Sequence, residues 1–251
     1  AMTQSSMLHL QGNRVCSQRI SKALQLVQST SPSYLLLASL DAARQQMATA
    51  GKELMSQAIA LANEASHKIA QIPHLSVLNP QIQPGCKDLD PTRLTINVSQ
   101  LGITGFEADE ILHQHLGVTC ELPLLQHLTF IISLGNTSED IQRLIEACLT
   151  LSSSPTPVRA NGRSPLLPTP YVAKISPRQA YFRATETVPI DQASDRFCGE
   201  LICPYPPGIP LLMPGEIITP EVIKYLKQLI AAGATITGCK DPSLQTIETL
   251  K

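Results

Sequence analysis

The sequence predicts a mixed α/β chain built of successive units, and three observations predict it. Apolar residues recur at helical spacing from Ile20 to Val27 and again from Tyr34 to Ile72. Between Thr92 and Cys148 the pattern changes to a β-α-β-β-α order, that of a small two-layer α/β unit. Beyond a Ser/Pro-rich stretch at 152–170, two further helix starts flank a segment dense in proline.

Ser31-Pro32 is a start signal for the second helical run, and Gly51 is expected to break that run into two helices. The segment Pro73 to Pro91 holds four prolines and reads as a crossing linker, where the first boundary is placed. Thr92 to Ser99 alternates as a half-buried strand, and Thr104-Gly-Phe-Glu107 is a capping box opening a helix that Gly117 ends. Short strands are expected at Val118 to Leu122 and His127 to Ser133. Asn136-Thr137-Ser138 then caps a helix whose apolar stripe is Ile141, Leu144, Ile145 and Cys148. Ser176-Pro177-Arg178-Gln179 and Thr219-Pro220-Glu221 are strong helix starts, the second helix ending at Gly233. Between them Cys203 to Pro210 carries four prolines, which forbid ladder donation and are expected to fix an extended, turn-containing loop.

Composition excludes several classes of function. Of the 251 residues 43% are hydrophobic and 16% charged, as in a globular protein. Nineteen Lys plus Arg against twenty Asp plus Glu leave a net charge of -1, so no basic field is available to hold nucleic acid or a membrane surface. No stretch reaches the roughly 18 to 20 apolar residues of a membrane-spanning helix. Seven scattered cysteines with no CxxC suit a reducing cytoplasm and buried thiols better than a disulfide scaffold or a zinc site. No metal is expected; His113 and His115 are two apart on a helix and do not share a face. Ala1-Met2-Thr3-Gln4 carries no targeting pattern and reads as a cloning scar or a start within something longer.

Three groups of residues resemble a known family. Thr30-Ser31-Pro32-Ser33-Tyr34 with Ala38-Ser39-Leu40-Asp41, then Ile175-Ser-Pro-Arg-Gln-Ala-Tyr181, then Cys203-Pro-Tyr-Pro-Pro-Gly-Ile-Pro210 with Pro214-Gly215-Glu216, resemble the ornithine/lysine/arginine decarboxylases. These are pyridoxal-phosphate (PLP) enzymes of aspartate-aminotransferase fold, fold type I. The resemblance covers essentially the whole chain and thins between about residues 73 and 165. It implies that 1–78 is the C-terminal remnant of the PLP-binding major domain, 79–155 a small α/β domain and 156–251 the C-terminal decarboxylase domain.

The resemblance also implies site residues. The lysine that holds PLP in this family lies just upstream of a stretch like Thr3 to His9, so this chain by itself is expected to lack it and to be inactive. Ser66-His67-Lys68 only mimics that motif, late in a helical run and beside Glu64, and reads as a solvated face. Ser5, Thr30 and Ser31 are the cofactor-binding candidates, the last two as phosphate donors at a helix start, although plain N-capping needs the same residue types. His9 is the acid-base candidate, set against a packed or surface histidine. Asp191, Asp195 and Glu200 are candidates to face the distal cation of the substrate through a charge-assisted hydrogen bond, Glu200 first, with Tyr205 of the proline segment beside them. Each carboxylate has an exposed, solvated alternative, and Glu216 suits a cap within its loop.

Two functions follow as expectations. In the first, the chain is part of a PLP-dependent decarboxylase of basic amino acids, arginine or lysine ahead of ornithine, yielding an amine and carbon dioxide for polyamine synthesis. In the second, it is a stand-alone, non-catalytic interaction or assembly module derived from that family. The partners implied are the substrate, the missing N-terminal half and further copies in a homodimer or larger assembly. The helix pair between Ile20 and Ile72 should expose an apolar patch without that half.

Overall fold

The computed structural model describes residues 2, 5–78, 88–153, 175–206 and 208–251. Two compact units make up the chain, Ala1–Gln57 and Ala58–Lys251. The first holds helix α1 (Ser17–Val27) and the start of helix α2 (Tyr34–Ile69). No residue of α1 is buried. Leu26 is 87% exposed and Leu35 75%, beside similarly open Val27 and Tyr34, so the apolar surface expected of these helices is there.

The break expected at Gly51 does not occur, because α2 runs unbroken from Tyr34 to Ile69. A glycine costs an exposed helix about 1 kcal/mol, which neighbouring Ala, Gln, Lys, Glu, Leu and Met residues offset. The absent side chain also leaves room for a neighbour: a β-carbon on Gly51 would sit 3.1 Å from the Met47 methyl.

In the second unit, α2 presents Leu61, Ala62, Ala65 and Ile69 to the core, successive positions of one helical face. They pack in one cluster with an antiparallel four-stranded sheet in the order β1-β2-β4-β3, formed by Ser76–Val77, Arg93–Asn97, His127–Ile131 and Leu122–Pro123 respectively. Leu94 and Ile96 of β2 and Leu128 and Phe130 of β4 alternate into that core. On the opposite face the Thr95 and Thr129 hydroxyls meet at 2.9 Å, directly across the ladder.

Helices α3 (Gly105–His115) and α4 (Ser138–Ser153) bury one stripe each in the same cluster, and the stripe Ile141, Leu144, Ile145 and Cys148 is as expected. The capping box at α3 is complete: Glu107 N donates to Thr104 Oγ1 at 3.1 Å and Thr104 N to Glu107 Oε2 at 2.7 Å. Thr137 and Asp140 repeat the exchange at α4. The strand expected over Val118 to Leu122 is reduced to Leu122–Pro123. Val118 N donates to Leu112 O and Cys120 N to Asp109 Oδ1, so these amides turn back to α3 instead of joining a ladder.

The remaining elements are α5 (Pro177–Tyr181), β5 (Thr185–Pro189), β6 (Cys203–Tyr205), α6 (Pro220–Ala231), β7 (Thr235–Thr237) and β8 (Thr246–Leu250). Ser176 and Gln179 form the expected capping box on α5, and Thr219 accepts from Val222 N at the start of α6. Gly233, at φ 96°, follows α6 in the left-handed conformation. β5 pairs antiparallel with β8, and β6 with β7. Their core contains Ile202, Leu212, Ile218, Leu226, Ile236 and Ile247.

The loop expected over residues 203–210 is corrected at Cys203–Tyr205, which form β6. Pro204 lies opposite Ile236 in the β6–β7 register. Its carbonyl accepts from Gly208 N at 2.9 Å, on the side away from β7, so its missing N–H falls where the ladder needs no donor. The proline-rich stretches at 79–87 and 154–174, including Cys86, lie outside the described residues.

Among the described residues no helix is long and apolar enough to cross a membrane, and no three His, Cys, Asp or Glu gather as a metal site. Burial pushes the thiols of Cys120, Cys148 and Cys198 up to about 12, which makes them apolar packing groups at neutral pH.

Candidate functional site

Within the first unit three of the four residues expected near a cofactor lie on open surface. His9, Thr30 and Ser31 are exposed, and Ser5 is half-buried with its hydroxyl donating to Met2 O at 2.9 Å. Thr30 and Ser31 occupy the turn entering α2, where Ser31 N donates to Ser29 Oγ at 3.1 Å. This seryl and threonyl turn at a helix start has the donor chemistry that a phosphate needs. Lys68 of the lookalike motif pairs with Glu64 at 2.7 Å on the surface of α2.

In the second unit the four substrate candidates stand in different local settings. Asp191 lies in a 3-10 turn (Ile190–Gln192) and pairs with Lys227 of α6 at 2.5 Å. The pair stands at a cleft of about 440 Å³ floored by Leu226 and Leu244, which neither Glu200 nor Tyr205 lines. Asp195, at φ 64°, has its backbone N bound to Ile218 O. Tyr205 ends β6 with 56% exposure, its ring beside Gly208, where a β-carbon would come within 3.4 Å. The Tyr205–Pro206 peptide is cis.

Glu200 is engaged internally. Oε2 accepts from Lys240 N at 2.7 Å and Oε1 from Glu248 N at 2.8 Å. Around it Arg196 pairs with Glu186 at 2.5 Å, and Lys240 Nζ with Glu248 Oε1 at 3.3 Å. Hydroxyl donation by Thr187, then Thr185, holds the Glu248 carboxyl below its ordinary value. Glu216 closes its own loop by accepting from Met213 N at 2.7 Å, the cap its position suggested. Lys240 and Glu248 were not legible as partners of Glu200, since they lie 40 and 48 residues away with no local pattern to link them.

An α/β chain with a proline-bearing strand in its second unit and a hydroxyl-rich turn before a long helix corresponds to a known class. The fold is that of the lysine decarboxylases. The structure of the Francisella novicida lysine decarboxylase LdcF superposes with a TM-score of 0.77 at 22% identity, over 100% of this chain and 47% of that one. The Escherichia coli constitutive lysine decarboxylase gives 0.74 at 20%, over 95% and 46%.

Sequence makes the relationship firmer. Residues 1–140 match the family model of the Orn/Lys/Arg decarboxylase major domain, and 167–245 that of the Orn/Lys/Arg decarboxylase C-terminal domain. The chain belongs to the Orn/Lys/Arg decarboxylase family. An arginine decarboxylase of Bacillus subtilis (strain 168) is 35% identical over 255 residues, and one of Halalkalibacterium halodurans 36% over 259. Each alignment takes in 100% of this chain and 52% of the relative, so the chain spans about half the length of the curated relatives it matches.

Proposed function

We propose that this chain forms part of a PLP-dependent decarboxylase that converts a basic amino acid, arginine or lysine ahead of ornithine, into the corresponding amine and carbon dioxide. The observation that carries this reading is the alignment of the entire chain with arginine decarboxylases at 35–36% identity. The cofactor lysine and the remaining groups around the ring come, on this reading, from the half of the relatives that this chain does not span. Further copies of the assembly complete the enzyme, and a cytoplasmic setting agrees with the buried thiols of the second unit.

PLP, when bound, accepts the electron pair left by the departing carboxylate. The contribution of this chain is to bind and orient. Thr30 and Ser31 supply hydroxyl donors to the phosphate, with Ser5 on the same unit as a further donor and His9 as an acid-base group. The second unit presents Tyr205 on an exposed strand end and the carboxylate of Asp191, whose charge favours an ammonium or guanidinium tail.

The test is borohydride reduction of the protein from its natural source in the presence of PLP, followed by intact mass and peptide mapping. A phosphopyridoxyl lysine on a polypeptide that contains this chain and extends beyond it is the expected result. An unlabelled 251-residue polypeptide, stable by itself, overturns the reading in favour of a non-catalytic assembly module.

A further inference from the structure

At Glu200 the backbone changes partners. Just before it, Cys198 bridges Thr249, Leu250 N donates to Phe197 O at 2.9 Å and Gly199 N to Glu248 O at 2.8 Å, all on β8. Just after it, Cys203–Tyr205 pair with β7. A strand that leaves one ladder for another strands donors on the neighbours it crosses, and an unpaired amide is costly wherever water is excluded. Lys240 N, beyond the end of β7, and Glu248 N, on β8, are the donors at this crossing, and the two oxygens of Glu200 accept from them.

The corner is closed on both sides. A β-carbon on Gly199 would lie 2.8 Å from Thr185 Cγ2 and 3.2 Å from Glu248 O, and one on Gly238 would lie 2.9 Å from Leu201 O. Cys198 Sγ donates to Glu200 O at 3.1 Å, so the main chain of Glu200 is held as well. Five residues further on, this strand presents Tyr205 and the proline turn.

We infer that Glu200 is a positioning residue: its carboxylate fixes the strand crossing that sets Tyr205 and the proline turn in place, and does not itself bind the distal cation of the substrate. The inference rests on the decarboxylase reading and narrows it, leaving recognition of the cation to other groups. Glutamine is a poor substitute at this corner. It offers one acceptor oxygen, and its amide nitrogen would face the second backbone N–H, donor against donor. Aspartate keeps the charge but is one methylene shorter and cannot reach both amides.

The test uses the complete enzyme with Glu200→Gln and Glu200→Asp. Hydrogen exchange is measured on peptides covering 239–250, and kcat/KM is compared for arginine and for citrulline, whose tail has nearly the same shape and no charge. The expected result is exchange at the Lys240 and Glu248 amides faster by about tenfold or more, which is the loss of roughly one hydrogen bond's protection. With it, kcat falls while the arginine-to-citrulline ratio stays within about twofold, because charge recognition is untouched. Unchanged exchange, or a ratio that collapses toward one in Glu200→Gln and is rescued by Glu200→Asp, overturns the inference. Where Glu200→Gln does not fold, Glu200→Asp decides by the same exchange and ratio. A wild-type enzyme inactive on arginine, lysine and ornithine overturns the decarboxylase reading alone, and the exchange result still decides whether the crossing depends on Glu200.

Discussion

Asn97 Nδ2 lies 3.0 Å from His127 Nε2, where β2 and β4 pair these two residues. The other end of the Asn97 amide is committed: its oxygen accepts from Ser99 N at 2.9 Å and from Ser99 Oγ at 2.6 Å. The nitrogen therefore faces the imidazole and donates to it, and Nε2 must be the unprotonated nitrogen of a neutral ring. Burial acts in the same direction, lowering the His127 pKa below its ordinary value.

The sign of the pH effect follows. His127 binds a proton less readily when folded than when unfolded, so the unfolded chain holds more protons as the solution is acidified. Stability should fall as pH drops through the unfolded value, about 6.5, toward the lower folded one, and then level off. Urea denaturation midpoints between about pH 5 and 8 should show this slope in the wild type and a flatter one in His127→Gln, which retains an acceptor without the titration. Equal slopes would remove His127 as the cause.

Two glycines should respond to alanine with opposite sign. A β-carbon on Gly105 would lie 2.0 Å from Leu124 O and 2.8 Å from His127 O, backbone atoms that cannot turn aside. Gly105→Ala should cost about 3 kcal/mol by urea denaturation. Gly51 lies within α2 with only the flexible Met47 side chain near it, so Gly51→Ala should stabilise by about 0.5–1 kcal/mol. A destabilised Gly51→Ala would show that Met47 cannot move.

The capping boxes should be separable by mutation. Thr104→Ala and Ser176→Ala each remove a hydroxyl that accepts from the third amide of its helix, at 3.1 and 3.3 Å. Each should lower stability by about 1 kcal/mol, and the double mutant by the sum, because the two helices belong to different core clusters. Strong non-additivity in equilibrium unfolding would mean that the two caps are coupled through shared packing.

Self-association should follow the open apolar residues of the first unit. Leu26 and Leu35, at 87% and 75% exposure, are bare on the chain as it stands. Sedimentation velocity should show oligomers that Leu26→Ser with Leu35→Ser reduces, without a loss of thermal stability, since neither side chain contributes to a core. A wild-type chain that sediments as a clean monomer would contradict this.

Much of the fold was legible because its signals are local. The hydroxyl of Thr104 and carboxylate of Glu107, or Ser176 and Gln179, are three residues apart, and one helical turn brings them together whatever surrounds it. The stripe from Ile141 to Cys148 needs only a helical period and an apolar surface to pack on. The resemblance of residues 30–41 and 175–216 to one decarboxylase family was equally available from the order of residue types.

Other features depended on partners distant in sequence. Gly51 reads as a breaker, yet its helix continues because the cost of one glycine is smaller than what its neighbours supply. Four prolines read as a loop, yet Pro204 enters a strand because register places its missing donor away from β7. Glu200 reads as a free carboxylate, and only the crossing between β8 and β7 brings it the Lys240 and Glu248 amides. Sequence by itself determined the main helices with their caps, strands β2 and β4, and the family, since each is set within a turn, a local period or a motif. Tertiary structure decided strand register and the engagement of individual carboxylates, because hydrogen bonds across 40 or more residues depend on how the chain crosses itself.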